Sequence, residues 1–193
     1  MLLFTEWTQG YTPHMQDGSL DGKMHFICRG NTFRSRLAEA YLQKQGWMNC
    51  SSSGIEATQN QNGHVTWYGQ WIAKQEAIDP FLTPTWQQTT ESLLIGSDRL
   101  VFLDQDIYQE ASTRWSITRP IEVWQVHDVT GLPGELPFSL KEGNLLLKQA
   151  QQTWENLKRC LNLFLDRPDI RASHIDFSVD TATLRRFTSQ GGD

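Results

Sequence analysis

Residues 26–35 read Phe26-Ile27-Cys28-Arg29-Gly30-Asn31-Thr32-Phe33-Arg34-Ser35. The segment 24–28 is a short apolar run, which predicts a buried strand. Gly30 and Asn31 predict a tight loop after it, because glycine adopts positive φ freely and asparagine tolerates it. Residues 35–45 carry apolar side chains at helical spacing and predict a helix. A strand, a tight loop and a helix in this order place loop amides at a helix N-terminus, where anions bind.

The chemistry of this loop centres on Cys28, the candidate nucleophile. A cysteine attacks as a thiolate, which is favoured beside a helix N-terminus and beside a guanidinium such as that of Arg34. Arg34 offers parallel donors to phosphate oxygens, and the Ser35 hydroxyl can hydrogen-bond the sulfur when it leaves. Successive amides in a tight loop form a concave anion site. The predicted phosphate-binding residues are Arg29, Gly30, Asn31, Thr32, Phe33, Arg34 and Ser35.

Strand and helix patterns alternate along the rest of the chain. Further strands are predicted at 47–52, 99–103 and 121–126, with the Ser-Ser-Ser-Gly run at 51–54 ending the first of these. Helices are predicted at 65–77, 90–95 and 106–113, and a long one opens at the capping box Ser139-Leu140-Lys141-Glu142. This alternation predicts an α/β three-layer sandwich of about four parallel strands with helices on both faces. The phosphate loop follows the first strand, at the carboxyl end where such folds bind ligands.

The domain organisation follows from where these patterns begin and end. Residues 1–22 are polar, without clear periodicity, and are predicted to be an N-terminal extension. Residues 23–165 form the predicted domain, and 166–193 form a polar C-terminal tail.

The composition of the chain bears on where the protein is located and on which partners it binds. The chain has 193 residues, a formal net charge of −5 and three cysteines. The charge argues against a nucleic-acid or anionic-membrane partner. The sequence has neither a basic leader nor a long apolar run, and an odd number of cysteines does not favour a disulfide framework. We therefore expect a cytoplasmic protein, and Cys50 and Cys160 are expected to pack in the core.

No cofactor and no metal site are expected. The histidines do not pair with cysteines or carboxylates at the spacing of metal ligands; they are His14, His25, His64, His127 and His174. The sequence also has no dinucleotide-binding fingerprint.

The motif at 26–35, followed by Leu37-Ala38-Glu39-Ala40, resembles the opening of the low-molecular-weight protein tyrosine phosphatases. That family has Cys-x-Gly-Asn-x-Cys-Arg-Ser, followed by an apolar-Ala-Glu-Ala run. The segment 52–55 is similar to its Ser-Ala-Gly segment, and 98–104 is similar to its Asp-x-strand-Met-Asp segment. The resemblance covers about residues 23 to 165.

The resemblance implies a phosphatase that hydrolyses phosphomonoesters, above all phosphotyrosine in proteins, through a cysteinyl-phosphate intermediate. Its catalytic residues would be Cys28, Arg34 and Asp128, and Asn31, Ser35 and Ser52 would support the loop. Asp128 matches the family's general acid in the loop before the last helix, although the proline and aromatic that usually follow are missing. An acid is needed there because the leaving oxygen must be protonated.

Several positions depart from the family pattern. Phe33 replaces a second loop cysteine, so we predict that oxidation of Cys28 proceeds toward irreversible forms; inactivation by peroxide that thiols fully reverse would contradict this. Thr58 stands where an aromatic residue often faces the substrate, and Pro84 and Trp86 stand where a histidine and a basic segment often support the loop. Arg29 is expected to add positive charge at the rim of the site.

Alternative functions stay open at this point. In protein-arginine phosphatases of this family a threonine occupies the position of Thr32, so phosphoarginine is one alternative substrate. An arsenate reductase would need an external thiol, because no cysteine lies between residues 51 and 159. A non-catalytic phosphate-binding module is the last alternative. The expected partner is a phosphorylated protein, with no nucleic acid and no membrane, and the chain is expected to be a monomer or a weak homodimer.

Overall fold

The computed structural model describes residues 22–60, 64–129 and 139–166. Its elements are β1 (Met24–Cys28), α1 (Arg34–Lys44), β2 (Cys50–Gly54), α2 (Trp67–Gln75), α3 (Glu91–Ile95), β3 (Arg99–Phe102), α4 (Gln105–Arg114), β4 (Ile121–Val123) and α5 (Leu140–Asp166). Two short 3-10 turns lie at Ala57–Gln59 and Asp79–Phe81. Apart from Gly22 and Asp166, the predicted extension and tail lie outside the described residues.

The four strands form one parallel sheet in the order β2-β1-β3-β4. Every residue of β1 is buried, as expected for a central strand. The connection from β1 to β2 runs toward one edge of the sheet and that from β3 to β4 toward the other. Because such crossovers are right-handed, α1 and α4 lie on opposite faces. The predicted α/β three-layer architecture is confirmed.

Two predicted strands differ from the observed ones by two or more residues at an end, while the strand predicted at 99–103 ends one residue earlier, at Phe102. The strand predicted at 47–52 lies at Cys50–Gly54, so the serine run forms the strand instead of ending it. Buried hydroxyls are tolerated there because they are hydrogen-bonded: Ser51 and Ser53 bond to the His25 ring at 2.7 Å each. The fourth strand ends at Val123 rather than 126.

The helix caps agree with the sequence signals. Gly46 ends α1 at φ 89°, and the Trp47 amide donates to the Leu42 carbonyl at 2.9 Å, as in a Schellman motif. At the start of α5, the Glu142 amide donates to Ser139 Oγ at 3.2 Å, which is one of the two bonds of the predicted capping box; the Glu142 side chain accepts from the Ser139 hydroxyl at 3.0 Å.

No helix in the described parts of the chain is long and apolar enough to cross a membrane. Within residues 22–60, 64–129 and 139–166, no three His, Cys, Asp or Glu side chains lie together as a metal site would require.

Candidate active site

Cys28 is the last residue of β1 and is only 3% exposed. Its sulfur accepts a hydrogen bond from the Asn31 amide at 3.1 Å and lies 2.9 Å from Ser35 Oγ. Both contacts can stabilise negative charge on sulfur. The 28–35 loop therefore curls around the thiol that the sequence predicts as its nucleophile.

A network of buried, hydrogen-bonded side chains supports this loop. Asn31 has φ 51°, and its Nδ2 donates to Ser35 Oγ at 2.9 Å and to Ser52 Oγ at 2.8 Å. Ser52 in turn donates to Glu39 Oε2 at 2.6 Å. Burial raises the pKa of Glu39, against the lowering effects of the Ser52 hydrogen bond and of Arg36. We call Asn31, Ser35, Ser52 and Glu39 the brace, since they connect the loop to α1 and β2.

Gly54 lets the loop pack directly on the end of β2. A Cβ at this position would lie 2.6 Å from the Arg29 carbonyl oxygen and 2.7 Å from the Asn31 amide nitrogen. The Ile55 amide donates to the Cys28 carbonyl at 3.0 Å, which continues the strand pairing into the loop. No larger residue fits between the loop and β2.

Arg34 is buried and spans the site toward the last strand. Its Nη1 donates to the Val126 carbonyl at 2.7 Å, and its Nη2 donates to Asp128 Oδ2 at 2.6 Å. Asp104 Oδ2 lies 4.0 Å from Nη1. Among the described residues, Arg34 Nε has no hydrogen-bond partner although it is buried. One donor of the guanidinium is therefore available to an anion.

Asp128 reaches Arg34 because hydrogen bonds to the end of β3 and to α5 hold the segment that follows β4. The Val126 amide donates to the Leu103 carbonyl at 3.1 Å, and Thr153 Oγ1 of α5 donates to the His127 carbonyl at 3.1 Å. The Asp128 side chain is 44% exposed, so it lies at the solvent-facing side of Arg34. The structure thus brings the predicted acid to the predicted arginine.

The loop amides are available as well. No described residue accepts a hydrogen bond from the amide N–H of Gly30, Thr32 or Phe33. The carbonyls of the same segment are occupied: Thr32 accepts from the Thr66 amide at 3.0 Å, and Gly30 accepts from Asn60 Nδ2 at 2.8 Å. Free amides with satisfied carbonyls suit an anion.

The charge of Arg29 is paired with acidic side chains, which differs from the prediction. Its Nη1 lies 3.0 Å from Glu56 Oε2 and 2.9 Å from Glu110 Oε2, and Arg114 pairs with the same two glutamates. We call Arg29, Glu56, Glu110 and Arg114 the rim. The two positive charges are balanced by two negative ones, so the prediction that Arg29 adds positive charge there is wrong.

Sequence reasoning missed other residues around the loop. Glu39 lies four residues after Ser35, so the two share a helix face, and the sequence could have indicated this. Asp104 lies just after β3, at the carboxyl end of the sheet where Cys28 ends β1, and this position is also a signal of a site residue. The Gln87 amide, which donates to Asn31 Oδ1 at 2.7 Å, and the Asn60 side chain come from loops. No sequence pattern indicates them.

The sequence matches no family model and no curated protein. Solved structures do match. A Bacillus subtilis low-molecular-weight protein tyrosine phosphatase is 19% identical, with a TM-score of 0.54 over 75% of this chain and 97% of that chain. Vibrio vulnificus Wzb with benzylphosphonate is 19% identical, with a TM-score of 0.52 over 74% of this chain and 98% of that chain.

A mutant of the arginine phosphatase YwlE, a Bacillus subtilis protein, carries a phosphorylated active-site serine. It is 20% identical, with a TM-score of 0.53 over 77% of this chain and 98% of that chain. The fold is that of the low-molecular-weight protein tyrosine phosphatases. At the level of fold, the resemblance inferred from the motif at 26–35 is confirmed.

Within this phosphatase fold the other two thiols are buried. Burial raises the pKa of Cys50 to about 12 and that of Cys160 to about 11. Neither is poised to react as a thiolate at neutral pH. Both fit the packing role predicted for them.

Proposed function

We propose that the protein is a cysteine-dependent phosphatase acting on phosphotyrosine in proteins. The observation that carries this proposal is the Cys28 sulfur, held by the Asn31 amide and Ser35 Oγ inside a loop whose Gly30, Thr32 and Phe33 amides donate to no described residue. Arg34 Nε, which is buried and has no hydrogen-bond partner among the described residues, adds a charged donor at the same loop. Together these groups match a phosphoryl group with a nucleophile beneath it.

The proposed reaction has two steps. The Cys28 thiolate attacks phosphorus, the S–P bond forms as the P–O bond breaks, and Asp128 gives its proton to the leaving oxygen. Water then attacks phosphorus, Asp128 accepts a proton, and the sulfur leaves beside Ser35. The solved arginine phosphatase with a phosphorylated active-site serine supports a covalent intermediate of this kind.

Arg34 would exchange partners during this cycle. Its Nη2 donates to Asp128, but phosphate oxygens compete for guanidinium donors in a bidentate geometry. Substrate binding would therefore release the Asp128 carboxyl group toward the leaving oxygen. The 44% exposure of Asp128 leaves room for this movement.

Phosphotyrosine is proposed because a cluster of aromatic rings extends from Phe33 of the phosphate loop to the exposed Trp67. Phe33 contacts Tyr68 with ring centroids 5.0 Å apart, and Tyr68 contacts Trp67 at 5.6 Å. The Vibrio vulnificus structure of the same fold holds benzylphosphonate, an aromatic phosphonate. We further propose a phosphorylated protein as the partner of a cytoplasmic enzyme, monomeric or weakly dimeric, without nucleic-acid or membrane partners.

The test is phosphate release from an aryl phosphate by the wild type and by matched variants. We expect Cys28→Ser to abolish turnover and Cys160→Ser to retain it, since Cys160 is a buried thiol on α5. Asp128→Asn should lower kcat by about 10²–10⁴-fold, the usual contribution of a general acid. Asp79→Asn, which changes an exposed aspartate elsewhere, should leave kcat unchanged.

A wild type that binds vanadate without releasing phosphate would overturn the enzymatic proposal and leave a phosphate-binding module. If the wild type turns over, phosphotyrosine and phosphoarginine peptides of the same sequence are compared next. Faster release from phosphoarginine would replace the proposed substrate while keeping the thiolate mechanism.

A further inference from the structure

The peptide unit between Gly30 and Asn31 contacts the nucleophile on one side and a neighbouring loop on the other. Its N–H, which belongs to Asn31, donates to Cys28 Sγ at 3.1 Å. Its C=O, which belongs to Gly30, accepts from the side-chain Nδ2 of Asn60 at 2.8 Å. The C=O and N–H of a trans peptide point in opposite directions, because the unit is planar. The position of Asn60 therefore fixes the direction of the N–H that meets the sulfur.

Gly30 is the residue that lets Asn60 come so close to the loop. A Cβ on residue 30 would lie 2.7 Å from Asn60 Nδ2 and 3.5 Å from its Cγ. A larger residue at position 30 would therefore push the Asn60 amide away from the carbonyl that it bonds. The hydrogen bond requires both the glycine and the asparagine.

Asn60 is itself held in place through its backbone. Its amide donates to the Ala57 carbonyl at 3.0 Å, and its carbonyl accepts from the indole Nε1 of Trp86 at 2.8 Å. The segment that carries Trp86 is anchored at the site, because the Gln87 carbonyl accepts from the Gly54 amide at 2.9 Å. Trp86 is thus a fixed support for Asn60.

These contacts bear on the chemistry of the Cys28 sulfur. An N–H that points at sulfur stabilises the thiolate relative to the thiol. Donation into the carbonyl of the same peptide strengthens that N–H, since hydrogen bonds in a chain polarise one another. The Asn60 side chain, the 30–31 peptide and the sulfur form such a chain, in which each donor points toward the sulfur.

We propose that Asn60 is a positioning residue for the Cys28 thiolate, because its side chain orients and polarises the peptide whose N–H meets the sulfur. Trp86 holds the backbone of Asn60 and acts through it. The inference deepens the proposed function and rests on it, in that Cys28 is the nucleophile in both.

The experiment measures the rate at which iodoacetamide alkylates Cys28 as the pH is raised, with mass spectrometry to assign the modified cysteine. The reagent is uncharged and reacts with the thiolate, so the midpoint of the profile reports the thiolate fraction. For Asn60→Ala we expect the midpoint to rise by about 0.5–1 pH unit, which slows alkylation at acidic pH roughly three- to tenfold. Trp86→Phe removes the indole N–H and keeps an aromatic ring, and it should raise the midpoint by less.

The charged groups around the sulfur are the same in the wild type and in both variants. They belong to the loop, to α1 and to the ends of β3 and β4, and they are Arg34, Arg36, Glu39, Asp104 and Asp128. Both substitutions replace one neutral side chain by another. A shifted midpoint is therefore assigned to the hydrogen bonds and not to a change of charge.

Asn156→Ala is the matched control, because it removes an amide group on α5 that accepts from Gln152 at 3.4 Å. Its midpoint should equal that of the wild type. In the double variant Asn60→Ala/Trp86→Phe, the midpoint should equal that of Asn60→Ala, since Trp86 acts through Asn60. The proposal is overturned if Asn60→Ala keeps the wild-type midpoint, if it slows alkylation equally at every pH, or if Asn156→Ala shifts the midpoint as far.

Failure of the proposed function would give a different result. A wild type that releases no phosphate from phenyl phosphate would remove that function, but the alkylation profile needs no turnover and still decides the role of Asn60. If the wild type turns over, the acidic limb of the kcat/KM profile should move in Asn60→Ala by the same amount as the alkylation midpoint. An acidic limb that stays in place would contradict the inference.

Discussion

The brace and the rim both contact the 28–35 loop, but they differ in burial. Asn31, Ser35, Ser52 and Glu39 of the brace are all 5% exposed or less, and each is hydrogen-bonded within the group. In the rim, the exposed fraction of the side chains ranges from 23% to 43%. A buried polar contact is costly to break, because water does not replace it, whereas exposed ion pairs contribute little. The brace should therefore fix the loop, and the rim should affect it weakly.

The largest effect is expected at Gly54, where the 28–35 loop packs directly on the end of β2, beside the brace. Gly54→Ala puts a methyl group 2.6 Å from the Arg29 carbonyl oxygen, so the loop must move. We expect the free energy of unfolding to fall by about 3 kcal/mol, measured by chemical denaturation, with loss of vanadate binding. Gly46→Ala is the control, since its φ is +89° but no atom lies within 4 Å of its Cβ. It should cost about 1 kcal/mol and leave vanadate binding intact; equal costs for both would contradict the comparison.

Asn31 allows the two contributions of the brace to be separated. Asn31→Ala removes three side-chain hydrogen bonds and also strains a residue at φ 51°. Its expected cost is about 2–4 kcal/mol of unfolding free energy. Asn31→Gly removes the same bonds but tolerates this φ, so it should cost about 1 kcal/mol less. Denaturation midpoints of the two variants measure the difference, and midpoints equal to that of the wild type would refute the role of the brace.

His25 extends the comparison to the opposite face of β1. Its ring bonds to Ser51 and Ser53, and burial, followed by the charge of Lys23, lowers the pKa of His25 to about 3. A folded-state pKa below the unfolded value of 6.5 means that stability is complete above pH 6.5 and is lost as the pH falls toward 3. We expect about 2 kcal/mol to be lost by about pH 5.

Denaturation curves at several pH values check this prediction. His25→Gln should flatten the loss of stability between pH 6.5 and about 5, whereas His64→Gln, at an exposed position, should keep it. A pH dependence that survives in His25→Gln would assign the effect to another group.

The smallest effect is expected at the rim. Arg29→Met or Glu110→Gln should change the unfolding free energy by less than about 1 kcal/mol, because the Arg29 side chain is 43% exposed. The loss should shrink further in 1 M salt, which screens exposed charges. A loss as large as that of Asn31→Ala, and insensitive to salt, would show that the rim also fixes the loop.

The predicted and observed strands differ where buried polar side chains are hydrogen-bonded to residues distant in the sequence. The serine run at 51–54 has the composition of a turn, yet it forms β2, since His25, Asn31 and Glu39 satisfy its hydroxyls. Those partners lie 13 to 28 residues away in sequence. A local pattern does not contain this information, and the strand was therefore predicted too early in the chain.

The sequence by itself determined the strand, loop and helix around Cys28, since Gly30, Asn31 and the apolar spacing act over a few residues. It also determined the parallel α/β architecture, because alternating strands and helices allow few other arrangements. Only the tertiary structure decided which distant groups meet at the loop: Asp128 at Arg34, Tyr68 at Phe33, and Glu56 and Glu110 at Arg29. The physical reason is that ion pairs and ring contacts depend on distance in space, and the folded sheet sets that distance.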